Sequence, residues 1–133
     1  MKGRTMKIDD YVKAYVQEIT DGLDADAMIA DRHEWTGEDS EDGPGAYWHF
    51  APTTPPTAPS WPEGVTVIWD WSAGWIDHNR TPLPISTLAA APDVVEAIRE
   101  HVAALPATTS TDGPQWHQAA QLEDLLIECA KDE

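Results

Sequence analysis

Val65-Thr66-Val67-Ile68-Trp69-Asp70-Trp71-Ser72-Ala73-Gly74-Trp75-Ile76-Asp77-His78-Asn79 is the stretch that decides the fold. Val65, Val67, Trp69 and Trp71 alternate with Thr66, Ile68 and Asp70, which is the two-residue period of a strand with one buried face. Ser72-Ala73-Gly74 then interrupts the run, and Gly74 supplies the left-handed residue that closes a tight loop. The segment is therefore expected to be a β-hairpin. A three-residue loop closed by Gly74 sets Trp71 opposite Trp75 and Asp70 opposite Ile76; a four-residue loop shifts those pairs, and the sequence leaves both open.

Upstream of the hairpin, Pro52, Pro55, Pro56, Pro59 and Pro62 deny the backbone helix and ladder hydrogen bonds, so this connection reads as an extended surface excursion. Tyr47 to Ala51 is short, aromatic and alternating, and reads as a strand ending at Pro52. Thr36 to Gly45 combines Glu38, Asp39, Glu41 and Asp42 with Gly37, Gly43, Pro44 and Gly45, the composition of a solvated loop. Ala25 to Trp35 reads as a further strand with Ala27, Ile29 and Asp31 on one face. Before it, Ile8, Tyr11, Val12, Tyr15, Val16 and Ile19 recur at three- and four-residue spacing, which predicts a helix with Asp9 and Asp10 at its positive end and Gly22 as its stop.

Downstream, Pro92 sits at a first helical position with Asp93 and Glu96 in the first turn, predicting a helix to about Leu105. Its stripe is Val94 or Val95, Ile98, Val102 and Leu105, with Glu96, Arg99 and Glu100 outward. Residues 106–113 form a Thr- and Ser-rich linker, and a third helix is expected over 114–130 with Trp116, Ala119, Leu122, Leu126 and Cys129 on one side. That terminal helix packs either on its own domain or on a partner's.

The 133 residues suit one domain, and 41% hydrophobic residues with seven tryptophans separate the chain from acidic disordered proteins. The 24 acids against 8 Lys plus Arg give a formal charge of −16. Too few cations remain to neutralise phosphates, so direct nucleic-acid binding and docking on an anionic membrane are not expected. A single Cys129 excludes an intramolecular disulfide and a Cys-based zinc site. The basic start, Met1 to Lys7, runs into Asp9 and Asp10 where a signal peptide needs an apolar run, and no stretch approaches the roughly 20 apolar residues of a membrane span. A soluble, cytoplasmic protein is the expectation.

Charge is concentrated between Glu18 and Asp42, where ten carboxylates face one cation, Arg32. Such density can imitate a phosphate backbone, making a decoy for a DNA-binding protein one reading; acidic surfaces also keep small proteins soluble without recognising anything. A calcium loop is not indicated, because aligning Gly43 with the EF-hand glycine puts His49 where the bidentate acid belongs. His33, His49, His78, His101 and His117 are scattered without ligand spacing, so no metal or cofactor is expected. Asp70 and Asp77, on neighbouring strands beside Trp69, Trp71 and Trp75, form a glycosidase-like or carbohydrate-binding picture, but no nucleophile or phosphate motif accompanies them. Trp69 belongs with the core residues Val65 and Val67, whereas Trp71 and Trp75 flank the turn, where indoles commonly anchor interfaces or else pair across strands. Trp61, among prolines, is a lid or a partner anchor.

Tyr11-Val12-Lys13-Ala14-Tyr15-Val16 in an opening helix, a strand ending in Trp69-Asp70, the turn Gly74-Trp75 and the helix start Pro92-Asp93-Val94-Val95 together resemble a family of small actinobacterial proteins classed as a domain of unknown function. The similarity covers about residues 8–105. It implies a cytoplasmic α+β domain from an actinobacterium, its phage or a mobile element, and it carries no catalytic residues; the acidic loop, the proline-rich stretch and the C-terminal helix depart from it.

The expected architecture is a single α+β domain: an antiparallel sheet of three to five strands, covered on one face by the first two helices, with a third appended. The expected function is a non-enzymatic protein–protein interaction or accessory module, with a protein partner or a second copy bound through Trp71, Trp75 and Trp61, through Glu38, Asp39, Glu41 and Asp42, or through the third helix. A DNA-mimicking inhibitor and a hairpin-based enzyme or carbohydrate binder are the contrasting readings.

Overall fold

Helix α1 spans Ile8–Ala25 and buries Ile8, Val12, Tyr15, Val16, Ile19 and Leu23, the stripe that the spacing predicts. These features come from a computed structural model that describes residues 7–37, 43–54 and 57–131, with side chains as far as Ile127. At the N-terminus of α1 the Lys7 N–H donates to Asp10 Oδ2 at 2.9 Å, which satisfies one of the free donors of the first turn. Gly22 is not the stop. It lies inside the helix, where a Cβ would come within 2.8 Å of Val95 Cγ2, so the glycine lets a second helix approach closely. The end comes in a Schellman turn: Met28 N–H donates to Leu23 O at 2.9 Å and Ala27 N–H to Asp24 O at 3.0 Å, with Ala27 at φ 60°. Alanine thus occupies the left-handed position usually held by glycine, and the strand expected over residues 25–35 shrinks to β1, Arg32–Thr36.

Three further strands, β2 (Gly45–Phe50), β3 (Val65–Asp70) and β4 (Gly74–Asp77), complete an antiparallel sheet in the order β1-β2-β3-β4. Alternation sorts its side chains: Trp48, Phe50, Val65, Val67, Trp69 and Trp75 are buried, while Tyr47, His49, Thr66, Ile68 and Ile76 on the other face are half-exposed. The hairpin loop has three residues, Trp71 to Ala73, so Asp70 pairs with Gly74 (φ 84°) and Trp69 with Trp75. This corrects the expected pairing of Trp71 with Trp75 by two residues. The cause is Asp70, whose Oδ1 accepts hydrogen bonds from Ser72 N (2.8 Å), Ser72 Oγ (2.7 Å) and Ala73 N (3.2 Å) and starts the turn one residue early. An even displacement leaves each side chain on its face, so the core is unaffected.

Helices α2 (Ala91–Val102) and α3 (Ala119–Lys131) join α1 against the sheet, giving the α+β architecture. Val94, Val95, Ile98 and Val102 of α2 are buried, but a second Schellman turn, with Leu105 N–H donating to Glu100 O at 2.8 Å and Ala104 at φ 56°, leaves Leu105 outside the helix and 49% exposed. Glu100, expected outward, is instead buried. Its carboxylate accepts hydrogen bonds from Thr108 N at 3.0 Å and from the Thr108 hydroxyl, which ties the 106–113 stretch back onto α2. Nor does the last helix begin at Pro114: Ala90 N–H donates to Pro114 O at 2.9 Å and Trp116 N–H to Leu88 O at 2.7 Å, an extended pairing that precedes α3. Trp116, Ala119, Leu122 and Leu126 are buried, with Trp116 against Tyr11 and Tyr15, so α3 packs on its own domain.

Tyr15 stands where the layers meet. Its hydroxyl donates to Ala89 O at 2.6 Å, and its ring meets those of Trp69, Trp75 and Trp116 at 5.6, 6.2 and 4.8 Å. Burial, the dominant influence, pushes its phenol well above the ordinary range. Among the described residues no helix is long and apolar enough to cross a membrane.

Candidate functional site

The indoles expected to anchor a partner are placed differently from one another. Trp75 is 2% exposed and stacks on Trp48 at 5.4 Å, so it is a core residue and not an interface anchor. Its direction follows from strand alternation: as the cross-strand partner of Trp69 it shares that buried face, against Tyr15 of α1. Trp71 is half-buried in the turn and packs on the edge of the core. Trp61 is half-buried as well, lying against the rings of His78 and His101 at 5.8 and 5.5 Å while its Nε1 donates to His101 O at 3.4 Å. It acts as a cover over the C-terminal end of α2. Glu38, Asp39, Glu41 and Asp42 lie outside the described residues.

Asp70 and Asp77 do not face one another. Asp70 pairs with Gly74 and Asp77 with Val67, and strand alternation then puts the two carboxylates on opposite faces of the sheet. Asp70 is occupied in the turn. Asp77 is 1% exposed, and its Oδ1 accepts hydrogen bonds from Asn79 N at 2.7 Å and Thr81 N at 2.9 Å, while Oδ2 lies 2.9 Å from His101 Nε2. Burial works to raise its pKa, but the Thr81, His101 and Asn79 bonds together outweigh it and hold the carboxyl below its usual range. An Asp–His pair is the raw material of acid–base chemistry. Here the acid is enclosed by backbone donors and joins the turn after β4 to α2, a structural tie. Among the described residues no group of three or more His, Cys, Asp or Glu side chains is placed to hold a metal ion.

Several carboxylates of the acidic shoulder are tied to neighbouring side chains. Glu18 accepts from Trp116 Nε1 and lies 3.3 Å from His117 Nε2, Asp21 accepts from Gln17 at 2.9 Å, and Glu34 accepts from Tyr47 Oη at 3.1 Å. Asp31 lies 2.7 Å from His49 Nδ1, and that hydrogen bond, the largest influence, holds its carboxyl below the usual range.

An open edge remains. Among the described residues β1 pairs with β2 alone, and all five of its residues are exposed. The opposite edge is covered, since Ile76 bridges to Pro82, Leu83 N–H donates to Trp75 O at 2.9 Å and Asp77 N–H to Thr81 O at 3.0 Å. Among the described residues, three concavities border β1. A shallow groove of about 470 Å3 runs along the strand between Asp31, Arg32, Glu34 and Tyr47. A second, of about 420 Å3, lies on the outer face and is lined by Glu34, Thr36, Tyr47, Ile68 and Asp70. A third, of about 120 Å3, sits on the helix side between Leu23, Asp24, Met28, His33 and Trp48. Trp35 and Ile29 are 37% and 63% exposed beside it.

The sequence reading missed this edge because it extended the strand back through Ala27 and counted Ile29 as inward. The available signal was the charge on β1: Arg32, His33 and Glu34 place polar groups on both faces, a mark of an edge strand. No protein-family model, curated protein or solved structure matches the chain.

Proposed function

We propose that this chain is a non-enzymatic protein-interaction module that binds its partner along β1. The observation that carries this reading is the asymmetry of the sheet: one edge is capped by its own chain, while the other presents five exposed residues bordered by three concavities. Backbone N–H and C=O groups on such an edge supply hydrogen bonds to an added strand, and pockets beside it select side chains. The hairpin carboxylates support an enzyme less well, since Asp70 and Asp77 lie on opposite faces and are each held by backbone donors. The resemblance to small actinobacterial proteins favours a cytoplasmic setting in an actinobacterium, its phage or a mobile element.

A photo-cross-linking amino acid at Trp35 on β1 and, separately, at the exposed Ile127 on α3 tests the proposal in lysate of the native host. Capture at position 35 of a protein absent from the position-127 sample is expected. Identical capture at both positions, or none at position 35, would refute the edge as the binding surface.

A further inference from the structure

We infer that the segment added to β1 is extended and basic, and that it places an aliphatic side chain in the pocket beside His33. The inference rests on β1 being the docking edge and specifies what that edge selects. His33 pairs with Trp48, whose side chain is buried, so the 120 Å3 pocket lies on the helix side of the strand. Its lining combines apolar groups with polar ones: Leu23 and Met28, brought together by the Schellman turn that ends α1, Ile29, and Trp48, whose Nε1–H is already given to Thr20 Oγ1 at 3.0 Å, stand with Asp24 and His33. At about 30 Å3 per water the space holds roughly four waters or one branched aliphatic group, which would meet Leu23, Met28, Ile29 and Trp48. A strand laid beside β1 directs every second side chain toward this face.

The rim is charged. Asp24 lines the pocket, Asp31 stands beside the strand and Glu34 on it, and Arg32, on the same outer face of the strand as Glu34, lies 3.9 Å from Asp31. Cross-strand neighbours lie roughly 5 Å apart, so Lys or Arg on the outer face of an added strand comes beside Glu34. The whole chain, at −16, adds long-range attraction for a cation and repulsion for a second copy of itself. Charges on an edge strand deter pairing in general. An acidic rim makes that deterrence selective, excluding neutral and acidic strands more than basic ones.

Four capped peptides serve as probes: alternating Lys-Val, Lys-Ala, Thr-Val and Glu-Val heptamers with the first residue at both ends. Amide hydrogen exchange of Arg32–Thr36 and the Met28 methyl resonance are followed by NMR during titration into the full chain. The Lys-Val peptide is expected to protect the β1 amides and shift Met28, with roughly tenfold weaker binding for Lys-Ala and Thr-Val and a steep loss with salt. The Glu-Val peptide should not bind. Equal binding of Lys-Ala would overturn the pocket, and equal binding of Thr-Val would overturn the basic preference; in both cases protected β1 amides leave the edge itself standing. Absence of β1 protection with every peptide overturns this inference, and the cross-link at position 35 then decides separately whether the edge binds a protein by other chemistry.

Discussion

Replacing Trp75 by alanine separates a core indole from an interface indole. The ring is 2% exposed, stacks on Trp48 at 5.4 Å and meets Tyr15 at 6.2 Å, and its Nε1–H makes no hydrogen bond of normal geometry, so the loss is one of packing. Truncation to Ala removes about 150 Å2 of buried apolar surface, which at roughly 25 cal/mol per Å2 is about 4 kcal/mol, within the range for buried aromatic truncations. A chain of 133 residues loses about 0.28 kcal/mol per degree at its midpoint, so Tm should fall by about 14 °C. Trp71→Ala, at a half-buried turn position, should cost about 1 kcal/mol and about 4 °C. Urea unfolding followed by far-ultraviolet circular dichroism measures both variants without relying on indole fluorescence, and an unchanged m-value shows that the same surface is being exposed. A loss below about 1.5 kcal/mol for Trp75→Ala, or a larger loss for Trp71→Ala, would refute the placement of Trp75 in the core.

Other substitutions probe separate ties. Asp77→Asn keeps the side-chain shape but removes the ionised acceptor facing Thr81, Asn79 and His101, and should cost about 2 kcal/mol near neutral pH by chemical unfolding. Because the folded carboxyl lies below its ordinary value of 3.8, the contribution of Asp77 is complete above that pH and is withdrawn as pH falls through the lower folded value. The variant should therefore approach the parent in acid, and a difference that persists undiminished at low pH would count against the charge. Ala27→Gly and Ala104→Gly relieve left-handed backbone at φ 60° and 56°, and each should raise stability by about 0.5–1 kcal/mol; a loss in both would mean that these turns are not formed. Trp35→Ala on the exposed edge should change stability by no more than about 0.5 kcal/mol while weakening partner capture, and a large stability loss would place the ring inside the fold.

What could be read before the structure was local and periodic. The α1 stripe, the α2 stripe as far as Val102 and the alternation of β3 follow from spacing alone, because side-chain direction repeats with the backbone. Boundaries were less legible. Gly22 looked like a stop but serves helix approach, and the real stops are alanines in left-handed conformation, a state that sequence assigns to glycine by default. Glu100 and Asp77 carry charge, and spacing alone points Glu100 outward and sets Asp77 beside Asp70 as a candidate acid. Their burial depends on donors from Thr108, Thr81 and Asn79, and on the His101 imidazole, which become neighbours only when the chain folds back.

The candidate site shows the same division. Sequence alone determined the class of the fold, the negative sign of the surface and the presence of a tryptophan hairpin, since composition and period are properties of the chain itself. Tertiary structure decided which indole is available and which edge is open. Trp75 is hidden because the face it shares with Trp69 is the one that Tyr15 of α1 covers, and residues 81–83 cover the β4 edge while, among the described residues, nothing pairs with the outer edge of β1. Exposure is a property of what packs against a residue, and that depends on segments distant in sequence.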